Sequence, residues 1–202
     1  MTKLNLCTIN WLLTYQDYLD YFNKQINKSN VELSTELEKA KFEFTKLNFQ
    51  RSSRLEKTFE PAEESKNVIS QINNKQQWII ITETWCGDSA QSIPVIQKLS
   101  QLNNNIDFKI LFRDSNLDFM DLYLTNGGRS IPKLIVFDEN GNEAFQWGPR
   151  PLEVQELFTK LKNDGLEKSD ISKEIHLWYG RDRGKAVEKE LIELLKSQII
   201  KN

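Results

Sequence analysis

Apolar positions in the first 75 residues recur at three- and four-residue steps, the spacing of one helix face. Tyr15, Tyr18, Leu19 and Phe22 mark one such face. Leu37, Ala40, Phe44, Leu47, Arg51, Leu55 and Phe59 align on a second, longer helix, with Ser34 as its N-cap. Pro61 stops that helix and opens another over Pro61–Ile72, closed by Asn73 and Asn74. The period then changes. Trp78, Ile79, Ile80 and Ile81 within Gln77–Thr82 form a short apolar, β-branched run, which predicts a buried strand. A helix follows over Gly87–Leu102, then a turn at Asn103–Asn105 and a strand over Asp107–Phe112. Leu117–Leu124 reads as a short helix ended by Asn126, Gly127 and Gly128, and Lys133–Phe137 as a third strand. Asn140-Gly141 is a hairpin turn signal, with Glu143–Trp147 returning, Gly148 breaking the strand, and Leu152–Leu161 helical. Val187, Leu191, Leu194 and Leu195 stripe a final helix.

A βαβ start with a ββα end predicts an α/β fold: a mixed central sheet flanked by helices on both faces. The organisation read from this pattern is a helical extension over 1–75, a core over 76–163 and a helical extension over 164–202. The extensions are expected to pack on the core, and they are also placed to cover a sheet edge or roof the site.

Composition narrows the function. The 202 residues are 39% hydrophobic and 10% aromatic, enough to bury a core, and the formal charge is only −2. Nucleic-acid binding through phosphates is not expected at that charge. No apolar run approaches the roughly 18–20 residues of a membrane helix, and Met1–Leu13 lacks the pattern of a signal peptide, so a cytoplasmic protein is expected. Two cysteines and one histidine, His176, give no metal-ligand spacing, and no cofactor is expected. Two cysteines also make no disulfide scaffold. Cys7 reads as a small apolar residue without reactivity.

Cys86 is different. Trp85-Cys86-Gly87-Asp88-Ser89 lies where the first strand becomes a helix. A cysteine there faces unpaired N–H groups and the positive end of the helix dipole, both of which favour the nucleophilic thiolate. Trp85 can shield the sulfur, whereas the Asp88 carboxylate opposes thiolate formation. Sequence does not decide between these effects.

This stretch resembles the thioredoxin superfamily, whose site is Trp-Cys-x-x-Cys. The resemblance runs over roughly Gln77–Leu161. Pro94 stands eight residues after Cys86, where the family has a helix-kinking proline. Ile131-Pro132, with Pro132 46 residues after Cys86 and just before a strand, matches the family's cis-proline, which faces the cysteine. Gly141 and Gly148 also fall on the family pattern. Arg129-Ser130-Ile131-Pro132-Lys133-Leu134 and Leu177-Trp178-Tyr179-Gly180 look like a bacterial thioredoxin-like subgroup with extra terminal helices.

Two departures bear on activity. Ser89 replaces the second cysteine, which would release a mixed disulfide. Ile80 stands where many thioredoxins carry a buried carboxylate, and Glu83 is expected on the opposite face, unable to substitute. The resemblance therefore implies a monothiol thiol-disulfide oxidoreductase. In this reading Cys86 forms mixed disulfides with protein thiols or with glutathione, and the backbone of Ile131 pairs with an extended partner. Arg129 is a candidate for holding the thiolate or a glutathione carboxylate, or is a solvated loop arginine. Arg51 and Arg54 are expected as a salt-bridged surface pair, and would reach the groove only if their helix crosses it. The alternatives are a redox-inactive thioredoxin-fold module binding protein or peptide, and a sensor acting through Cys86 oxidation. Oligomeric state is not legible.

Overall fold

A computed structural model describes residues 12–28 and 35–199. Cys7 and Ser34 lie outside the described residues. Helix α1 (Tyr15–Ile26) is closed by a capping box, in which Thr14 accepts from the Asp17 N–H and Asp17 reaches back. Helix α2 (Glu36–Thr58) is capped the same way by Thr35 and Glu38. Helix α3 is Glu63–Ile69, shorter than the expected Pro61–Ile72. Then come β1 (Gln76–Thr82), α4 (Gly87–Ser100), β2 (Ile106–Phe112), α5 (Leu117–Met120), β3 (Lys133–Phe137) and β4 (Glu143–Trp147). Three helices close the described chain: α6 (Leu152–Asn163), α7 (Lys168–Asp182) and α8 (Lys185–Ile199). Helix α5 stops at Met120 rather than Leu124, leaving Leu122 and Leu124 exposed.

The sheet order is β2-β1-β3-β4. Strand β1 pairs parallel with β2 and antiparallel with β3, and β3 pairs antiparallel with β4. This is the mixed sheet that the pattern predicts. Alternation sends Trp78 and Ile80 to one face and Ile79 and Ile81 to the other. The first face carries the main core, where Phe22 of α1, Leu55 of α2, Ile96 of α4 and Leu191 of α8 meet. The second face is smaller and holds Phe119, Met120 and Tyr123 together with Cys86 and Ile131.

The expected apolar face of α2 is buried only toward its C-terminal end, at Leu55 and Phe59. Leu37, Phe44 and Leu47 are exposed, while Thr45, Asn48, Ser52 and Leu55 point inward. The reason lies in what α2 packs against. Pro94 sits inside α4 and has no N–H, so the carbonyl of Ala90 lacks its partner four residues on. Ser52 Oγ donates to that carbonyl at 3.2 Å. Asn48 Nδ2 donates to the Thr84 carbonyl at 3.1 Å, one residue before Trp85. Helix α2 thus meets backbone, and backbone carbonyls need hydrogen-bond donors rather than leucines.

Candidate active site

Cys86 is the N-cap residue of α4, at the C-terminal end of β1. Its thiol donates to the Ile131 carbonyl at 3.3 Å, and the Ile131–Pro132 bond is cis. A second cis bond, Gly148–Pro149, lies at the end of β4. The two turns touch: a Cβ on Gly148, which has φ 107°, would stand 2.3 Å from the Pro132 carbonyl oxygen. Only glycine fits there.

The sulfur is almost closed to solvent, with Cys86 8% exposed. Burial pushes the thiol up to about 11, and the Asp88 charge adds to it. Hydrogen bonding from Ser89 and from the first N–H groups of α4 works the other way without prevailing. The question that sequence left open is therefore decided by desolvation, with Asp88 second. Ser89 is fully buried, and its Oγ has no partner at hydrogen-bond distance among the described residues, although it lies near enough to the sulfur to favour the thiolate.

Each neighbour in the motif is covered by a different element. Trp85 packs beside Cys86, with Lys41 Nζ 5.1 Å and Arg113 Cζ 5.0 Å from its ring centre. Gly87 lies under α7, where a Cβ would meet His176 Nε2 at 2.5 Å and Arg51 Nη1 at 3.5 Å. Asp88 Oδ2 accepts from Arg150 Nε at 2.8 Å, and its Oδ1 accepts from the Tyr179 hydroxyl at 3.0 Å. Burial raises the Asp88 pKa against the pull of Arg150, Tyr179 and Arg51. His176 is held neutral: burial, then the Arg51 and Arg150 cations, lower it to about 3.

Arg51 is thus not half of a surface salt bridge. It is half-buried, donates to Asn48 Oδ1 at 2.8 Å and reaches the start of α4, because α2 crosses there. Arg54 stays exposed, within 3.9 Å of a Cβ position on Gly180. Arg129 is exposed and forks Asp121 through bonds of 2.6 and 2.7 Å. Ile80 is fully buried on the main-core face. Glu83 is buried elsewhere, accepting the Asp114 N–H at 2.8 Å. Arg150 and the roles of His176 and Tyr179 had no signal in spacing, since they arrive from 62 to 91 residues away.

A search of curated proteins finds no match. Among solved structures, an HIV epitope-scaffold is 16% identical, with a TM-score of 0.56 over 89% of this chain and 98% of its own. A protein of unknown function from Pseudomonas aeruginosa is 15% identical, with a TM-score of 0.56 over 92% of this chain and 98% of its own. Both likenesses concern the fold alone. A family model described as Thioredoxin matches residues 34–162. That span takes in α2 through α6, with the Cys86 turn and the Pro132 loop inside it, and the chain belongs to the thioredoxin family.

Proposed function

We propose that the protein is a monothiol thiol-disulfide oxidoreductase that works through Cys86. The observation that carries this is the Cys86 thiol at the start of α4, aimed at the Ile131 carbonyl beside Pro132, with a serine where a resolving thiol would stand. The Cys86 thiol loses its proton to solvent, and Sγ attacks one sulfur of a disulfide. The new S–S bond forms as the old one breaks, and the departing thiolate takes up a proton. A second thiol, from glutathione or a partner protein, then attacks the mixed disulfide and restores Cys86. This chemistry suits a reducing, cytoplasmic setting, where such thiols are abundant.

The test is incubation with glutathione disulfide at mildly alkaline pH, followed by peptide mapping. One glutathionyl group on Cys86, removed by added glutathione, is the expected result. No adduct on Cys86 would overturn the reading. The buried, protonated state of the thiol favours a second reading, a redox-inactive binding module. In that case Cys86→Ser would retain all partner binding and the wild type would show no exchange.

A further inference from the structure

We infer that the α6–α7 hairpin is a size filter on Cys86, with His176 as its steric plug, and that the partner exchanging with Cys86 is a small disulfide rather than a folded protein. This rests on the exchange chemistry proposed above. The hairpin has its own apolar cluster: Val154, Ile171, Ile175 and Tyr179, backed by Phe158, Leu161 and Trp178. That cluster is separate from both faces of the sheet. Where the hairpin meets the motif, its ties are few and polar, centred on Asp88. Tyr179 donates to one carboxylate oxygen, and Arg150, just before α6, donates to the other while stacking 4.5 Å from the Phe158 ring.

His176 stands where the backbone of the motif would otherwise be open. Its ring lies on Gly87, so close that the position admits no Cβ. Nδ1 is buried without a hydrogen-bond partner among the described residues, and burial, with the Arg51 and Arg150 guanidinium groups second, keeps the ring uncharged. Such a ring offers a peptide no charge, and its bulk fills the space over Gly87. With Ile131 on one side of the sulfur and His176 over the next residue, an extended chain cannot lie across Cys86 and Gly87 together. A slender disulfide needs only the sulfur.

The test compares wild type, His176→Ala and His176→Gln in three reactions at one pH: alkylation by iodoacetamide, adduct formation with glutathione disulfide, and reduction of reduced-thiol-primed insulin disulfides with glutathione as recycling thiol. Wild type is expected to react with glutathione disulfide much faster than with insulin. His176→Ala should raise the insulin rate, relative to the iodoacetamide rate, by about tenfold or more, the discrimination that one filled or emptied pocket position gives. His176→Gln, similar in size, should restore the filter. Tyr179→Phe, which keeps the ring and loses the bond to Asp88, should move the ratio in the same direction as His176→Ala. Equal wild-type rates on insulin and glutathione disulfide, or an unchanged ratio in both His176→Ala and Tyr179→Phe, would overturn the filter. Failure of glutathione disulfide to modify Cys86 in any variant would instead overturn the exchange reading beneath it.

Discussion

At Cys86 the helix start and the protein interior act in opposite directions. The first N–H groups of α4 favour thiolate, yet taking the sulfur out of water and setting it near Asp88 costs more. With the thiol at about 11, its alkylation rate should climb about tenfold per pH unit above neutrality, following the thiolate fraction. A plateau near the ordinary thiol value of about 8.5 would show that the sulfur is not held as described. Ser89 supplies a second check. It is buried one turn along α4 from Cys86, so Ser89→Cys should give a pair that closes on mild oxidation and reopens with reductant. Counting free thiols before and after tests this, and no loss of Cys86 thiol would contradict it. The motif residues were legible in sequence because Trp85 to Ser89 are contiguous. The pKa was not, because the sulfur is buried by Ile131 and the side chains of the second sheet face, far along the chain.

At the scale of elements, sheet strands were the easiest to read, since β-branched runs such as Trp78–Ile81 are buried on both faces. Helix α2 was misread before Leu55, because an apolar stripe is expected wherever a helix packs, and the counter-surface of Asn48 and Ser52 is backbone. Ser52 answers the carbonyl that Pro94 leaves free. Ser52→Ala should therefore cost about 1–3 kcal/mol, the penalty of an unpaired buried carbonyl, measured by denaturant unfolding. A neutral result would mean that Ala90 finds another donor. Helix α7 makes a pH-dependent contribution. His176 is neutral when folded, down to about 3, and faces Arg51 of α2 and Arg150 before α6. The unfolded chain binds a proton at about 6.5, so it binds more protons than the folded one below that value. His176 therefore contributes stability above about 6.5, and that contribution is lost as pH falls toward 3. Wild type should lose more melting temperature than His176→Gln between about pH 6.5 and 4, whereas parallel losses would place the ring in water.

Across the whole molecule, stability is distributed unevenly in a way that bears on access to the sulfur. The main core gathers side chains from both ends of the described chain, so α1, α2, α4 and α8 are bound to the sheet together. Helix α8 is held further by polar ties. Glu188 accepts from the Ala62 N–H and Ser65 Oγ at the start of α3, and Glu190 from Trp147 Nε1 and the Leu152 N–H. Helix α7 has no share in that core: its buried residues, Ile171, Ile175 and Tyr179, pack within the hairpin. Segments with their own small core and few ties open at lower free energy than the global unfolding reaction. Amide exchange should separate the two helices accordingly. Amides of α7 around Ile175 are expected to exchange through a partial opening, and those of α8 around Leu191 only through global unfolding. Tyr179→Phe should speed the first set and leave the second unchanged, since the bond to Asp88 is lost without touching the main core. Identical protection in α7 and α8, rising and falling together with global stability, would mean that the hairpin moves only when everything does, and that partners must reach Cys86 past it while it is closed.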